Sequence, residues 1–113
     1  MMINIIHILF YAPIIISYAL QDIMDIGKEW KDYTYYALVT IVLLGVLYHI
    51  YKYWNSRTAI KWGNEINLIH LIGVFPIIIY YLMKGEKALS VAKYLTLSIG
   101  VTGMLYHIKR LIN

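Results

Sequence analysis

The chain has 113 residues, 61% of them hydrophobic and 14% charged, with a formal net charge of +4. A soluble domain carries about 25% charged residues. With a mean hydropathy of +0.64, this chain lacks the polar surface that would coat it in water. Cysteine is absent, which excludes a disulfide framework, a thiolate metal site and a thiol nucleophile. The basic residues stand beside apolar runs, with no strip suited to a phosphate backbone, so nucleic acid is not an expected partner. The lipid bilayer and its headgroups are.

Four apolar segments follow in chain order: Met2 to Leu20, Thr34 to Tyr53, Glu65 to Met83 and Ala88 to Leu111. Each approaches the roughly 20 residues that a helix needs to cross about 30 Å of hydrocarbon. In lipid, backbone polar groups must pair inside the segment or in a closed barrel. The alternating segments of a barrel are missing, so these runs read as helices. The first segment lacks a basic leader and a small-x-small cleavage site and is expected to be retained.

The connections are short. Gln21 to Tyr33 is polar and acidic, and its Asp22, Asp25, Glu29 and Asp32 read as a solvated turn. Trp54 to Asn64 is basic, and Lys84 to Lys87 is a tight turn containing Gly. Short loops join antiparallel neighbours. The expected fold is an all-α membrane protein with four transmembrane helices, up-down-up-down, forming one domain over residues 1–113. Tyr51, Tyr53, Trp54 and Trp62 are expected to form one interfacial girdle, and Trp30, Tyr33, Tyr35, Tyr36, Tyr80 and Tyr81 the other. Lys52, Arg57, Lys61, Lys109 and Arg110 on one side balance Lys28, Lys31, Lys84, Lys87 and Lys93 on the other. Orientation is therefore weakly encoded, and the reading leans to cytoplasmic termini.

The chain also repeats itself. Ile3-Asn4-Ile5-Ile6-His7 returns as Ile66-Asn67-Leu68-Ile69-His70, and Pro13-Ile14-Ile15-Ile16 as Pro76-Ile77-Ile78-Ile79, both at an offset of 63 (70 − 7 and 76 − 13). Gly45-Val46-Leu47-Tyr48-His49-Ile50 returns as Gly103-Met104-Leu105-Tyr106-His107-Ile108, at an offset of 58 (107 − 49). Two tandem helical hairpins are expected, residues 2–55 and 65–113. A pseudo-twofold axis along the membrane normal should relate them, because two helices return the chain to its starting side.

Every histidine belongs to this repeat. Leu20 to His7, Tyr36 to His49, Met83 to His70 and Tyr94 to His107 are each 13 steps, or roughly 20 Å at 1.5 Å per residue. His7, His49, His70 and His107 are therefore expected at one depth near one face. Gly45 with His49, and Gly100 and Gly103 with His107, share helix faces where neighbours can approach closely. Asn4, His7, Ile14 and Tyr18 form a stripe matched by Asn67, His70, Ile77 and Tyr81. Pro13 and Pro76 each remove a backbone donor, which is expected to free the Leu9 and Ile72 carbonyls. Ionisable side chains inside a bilayer are costly and mark functional sites by default.

No P-loop, dinucleotide fingerprint or zinc-protease motif is present, nor a serine elbow or potassium filter. No lysine stands mid-helix to carry a Schiff base. The leading expectation is a cofactor site: haem b between two opposed histidines, with four imidazoles on Zn or Cu as a variant. The alternative is a channel or viroporin-like homo-oligomer whose histidines, titrating near about pH 6.5, sense or relay protons. A third reading is a structural protein of a virion or cell membrane, with the histidines holding helices together and no cofactor.

A His six residues before Pro, an Ile/Leu run and later Leu-x-Gly-x-x-x-Tyr-His or its near form span both halves. In these features the chain resembles small duplicated-hairpin membrane proteins of large DNA viruses, which often carry Gly before the Pro where this chain has Ala12 and Phe75. The resemblance implies a viral membrane setting and no particular activity.

Overall fold

The computed structural model describes residues 2–56 and 62–113, and its regular structure there is entirely helical. The first helix runs over Met2–Ile23 and is long and apolar enough to cross a membrane. It is not uniform. A wide π turn over His7–Tyr11 separates an α segment at Met2–Ile6 from another at Ala12–Ile23. The third helix repeats that design with Trp62–Ile69, a π turn at His70–Val74, and Phe75–Lys84.

Proline explains the two π turns. Pro13 and Pro76 have no N–H to donate and crowd the preceding turn. In both helices the residue just before the proline donates instead to the histidine carbonyl five positions back: Ala12 to His7 and Phe75 to His70. The loss of a donor at each proline is the effect that the sequence predicts. The structure shows a shift of hydrogen-bond register that starts at the histidines themselves.

The second helix occupies Lys31–Ser56 after a single 3₁₀ turn at Lys28–Trp30. The fourth occupies Ser90–Ile112, after a 3₁₀ turn at Gly85–Lys87. The first connection is thus much shorter than the polar composition of Gln21 to Tyr33 suggests. Helix continues to Ile23, and the chain reverses through Asp25 and Gly27, both with positive φ. Gln21 holds this corner closed, its Nε2 donating to Thr34 Oγ1 at 3.0 Å. Arg57 and Lys61, expected in the basic middle loop, lie outside the described residues.

Three helices, Met2–Ile23, Lys28–Asn55 and Glu65–Lys87, have the length and apolarity of membrane spans. The fourth, expected as an equal span, has the length but is less apolar than the other three. Its Thr96, Ser98, Gly100, Thr102 and Gly103 lower its hydropathy. Thr96 is fully buried and its hydroxyl donates back to the Ala92 carbonyl at 2.8 Å, so part of that polarity faces neighbouring helices and not lipid.

The core forms where all four helices meet. Ile15, Tyr18, Ala19, Leu38, Val42, Phe75, Ile78, Tyr81 and Leu82 pack together there. Small residues set the spacing. A Cβ on Gly100 would come within 2.7 Å of Ile16 Cγ1, and one on Gly45 within 2.8 Å of Phe75 Cζ. Gly103 behaves differently, with nothing within 4 Å of such a Cβ. It opens a space where Gly100 closes one. Leu43, Leu44, Leu47, Leu9 and Ile72 are exposed, as lipid-facing side chains would be, and Trp30, Tyr33, Tyr36, Tyr51 and Trp54 are exposed near the ends of the spans. Tyr81 is no girdle residue: it is fully buried, held by hydrogen bonds described below.

Candidate functional site

The four histidines gather at one end of the molecule, around one space. An apolar cavity of about 500 Å³ is lined by His7, His49, His70 and His107 together with Tyr11, Ile15, Val42, Phe75 and Ile78. An adjoining cavity of about 640 Å³ shares all four imidazoles and is bordered by Asn4, Asn67, Tyr48, Tyr106, Lys52 and Arg110. Ile15, Val42, Phe75 and Ile78 belong both to the wall and to the packed core. The cavity is therefore floored by apolar side chains.

The rings are arranged as two stacks. His7 and His107 lie with centroids 4.0 Å apart and planes at 27°, and His49 and His70 with centroids 4.3 Å apart and planes at 16°. Each stack joins a histidine from the first half of the chain to one from the second. Tyr11 continues the first stack on His7 at 4.8 Å, and Phe75 borders the second.

Each ring is also tethered through Nδ1. His7 Nδ1 donates to the Ile3 carbonyl at 2.8 Å, and His70 Nδ1 to the Ile66 carbonyl at 2.7 Å. His49 Nδ1 donates to Asn67 Oδ1 at 2.8 Å, and His107 Nδ1 to Asn4 Oδ1 at 2.7 Å. A carbonyl oxygen only accepts, so in the neutral ring the proton sits on Nδ1 and the lone pair on Nε2. Among the described residues no hydrogen bond reaches any of the four Nε2 atoms.

Asn4 and Asn67 complete the site, although the sequence marks them only as members of the histidine stripes. Each precedes its own helix's histidine by three residues, yet bonds the histidine of a neighbouring helix. Their signal is an amide in an otherwise Ile-rich turn, at position 4 and again at position 67.

The geometry bears differently on the expected cofactors. Among the described residues, no group of three or more His, Asp or Glu side chains is placed to hold a metal ion. A tetrahedral set of four imidazoles on Zn or Cu is therefore not assembled as the rings stand. Two ligands suffice for haem, and the donors present fit it: neutral imidazoles, oriented through Nδ1, with Nε2 lone pairs bordering apolar walls. The two rings within one stack do not fit as a pair, since they lie face to face and cannot address one iron from opposite sides.

A second polar cluster occupies the far end. The Asp22 side chain is 1% exposed and lies 2.8 Å from Lys31 Nζ and 3.5 Å from Lys28 Nζ. Tyr81 donates its hydroxyl to Asp22 and lies 3.4 Å from the Tyr18 carbonyl. Lys31 Nζ sits 3.6 Å over the Tyr18 ring, and Lys28 pairs also with Glu86. Asp22 is thus a buried anchor, where the sequence read a solvated acid; Asp25, Glu29 and Asp32 are exposed as expected. At the offset of 63, Gly85 stands opposite Asp22, so comparing the similar stretches of sequence gives no hint of it.

No protein-family model, curated protein or solved structure matches the chain. The resemblance to viral duplicated hairpins rests on the sequence motif alone.

Proposed function

We propose that the chain is an integral membrane module that binds b-type haem through two of its four histidines. Its helices alternate in direction, as two tandem hairpins about an approximate twofold axis along the membrane normal, with both termini on one side. The observation that carries this reading is the state of the imidazoles. All four Nδ1 atoms are engaged by oxygen, and all four Nε2 lone pairs are without a partner among the described residues. Such outer hydrogen bonds orient metal-ligating histidines and raise their basicity. Neutral imidazole is a good axial ligand for haem iron.

The π turns support the same reading, since single π turns inside α-helices recur at functional sites. Interruptions at matching places in two halves of a membrane protein point to a binding site between them. Two histidines, one from each stack, would hold the group; His7 with His70, or His49 with His107, meets that condition. Haem bound there would supply one-electron transfer. The protein's part is to fix the rings, surround the group with apolar side chains and keep water from the floor of the cavity.

A structural role is the second reading, favoured by the Asn4–His107 and Asn67–His49 bonds that tie neighbouring helices. A proton channel within a single copy is disfavoured by the core that closes the cavity floor, so a channel would have to form between copies. The deciding measurement is the absorbance spectrum of detergent-purified protein titrated with haem. A Soret band shifted to the bis-imidazole position, and lost in either H7A/H70A or H49A/H107A while helix content is kept, is the expected result. A wild-type protein that gives only the spectrum of free haem leaves the structural role standing.

A further inference from the structure

Resting on the reading of this cavity as a binding site, we propose that its ligand carries two anionic groups, held at the mouth by Lys52 and Arg110. Lys52 follows His49 by three residues, and Arg110 follows His107 by three. Residues so spaced share a helix face, so each cation stands about one turn outward from an imidazole. Both border the outer cavity together with all four histidines.

These cations differ from Lys28 and Lys31 at the other end. Lys28 and Lys31 have carboxylate partners. Among the described residues no carboxylate lies within ion-pair distance of Lys52 or Arg110. Lys52 Nζ instead leans over the Tyr48 ring at 5.9 Å. The space therefore changes character with depth: an apolar floor, nitrogen donors above it, then two positive charges at the rim that have no carboxylate partner among the described residues. An apolar ligand body with two anionic groups at one edge matches all three levels. A tetrapyrrole dicarboxylate has this chemistry, and so does a lipid with two phosphates.

The test uses metal-free protoporphyrin, so that anion anchoring is read without iron ligation. Full-length protein in nanodiscs of zwitterionic lipid is titrated with protoporphyrin and with its dimethyl ester, following porphyrin fluorescence. The diacid is expected to bind more tightly than the ester. K52Q/R110Q should weaken the diacid about tenfold, since charge-assisted hydrogen bonds are roughly twice as strong as neutral ones. Raised salt should weaken the wild type alone. If porphyrin does not bind but native mass spectrometry finds a diphosphate lipid retained by wild type and lost from K52Q/R110Q, the dianion assignment stands with a lipid as its ligand, and the haem reading is decided separately by the Soret titration. Equal binding of diacid and ester, unchanged binding by K52Q/R110Q, or capture of neither porphyrin nor lipid overturns the assignment. Circular dichroism of K52Q/R110Q checks that these exposed substitutions leave the helices intact.

Discussion

At the scale of single residues, the two asparagines separate a ligating role for the histidines from a merely adhesive one. A hydrogen bond between membrane helices averages about 0.6 kcal/mol, so N4L/N67L should lower thermal stability only slightly. Loss of an outer partner typically costs about 10–100-fold in metal affinity. Haem titration of N4L/N67L should therefore show weakened binding in a protein that is still folded; a large drop in melting temperature with unchanged affinity would mean that the amides serve packing alone. Asp22 makes the opposite case. Asp22→Ala leaves Lys31 beside Tyr18 with its nearest counter-charge gone, and breaking a buried pair costs about 3–5 kcal/mol. Denaturant or thermal unfolding in detergent should register that loss without changing haem affinity. The histidines were legible in the sequence because two independent offsets carry them to the same depth. Asp22 was not, because a carboxylate in a polar stretch looks solvated until Tyr81, 59 positions later, is seen to reach it.

At the scale of helices, the π turns decide where the imidazoles point. One residue inserted into a helix rotates everything beyond it by about 100°. Closing the π turn would swing Asn4 and His7, or Asn67 and His70, away from their present partners. P13A/P76A restores both missing donors, and the expected outcome is full helix content by circular dichroism with the Soret shift abolished. The glycines give a paired comparison on one helix. Gly100→Ala drives a methyl to 2.7 Å from Ile16 Cγ1 and 3.4 Å from its backbone nitrogen, an overpacking that costs about 1–3 kcal/mol. Gly103→Ala meets nothing within 4 Å and gains up to about 1 kcal/mol of helix propensity. Thermal melts of the two variants should move in opposite directions. Spacing alone assigns these glycines to one shared packing face; both border the cavity, and only Gly100 is also pressed against a neighbouring helix. The helices themselves were readable from hydropathy. The register shift was not, since proline announces a lost hydrogen bond but not which carbonyl replaces the acceptor.

At the scale of the whole molecule, the absence of cysteine makes topology directly measurable. Single cysteines at Asn113 and Asn55 should react with an impermeant maleimide from one side of the membrane, and those at Asp25 and Lys87 from the other. Labelling of Asn113 and Asp25 from the same side would refute the alternating arrangement. The sequence showed which ends carry histidines but not which helices would be neighbours. Cross-pairing of His7 with His107 and His49 with His70 follows from Gly100 seating on Ile15 and Ile16, and Gly45 on Phe75, contacts that no internal repeat encodes. The Asp22 clamp has a mechanical consequence. One end of the molecule is riveted by ion pairs and the Tyr18–Tyr81 contact, while the other is joined by stacked rings and single hydrogen bonds around an open space. Such a body is expected to behave like a clothes-peg, stiff at its spring and compliant at its jaws. Amide exchange should be slowest around Tyr18, Leu38 and Tyr81 and fastest beside the two π turns; on the proposed binding role, a guest wider than the resting gap would enter by parting the histidine-bearing tips while the clamped end keeps the helices in register.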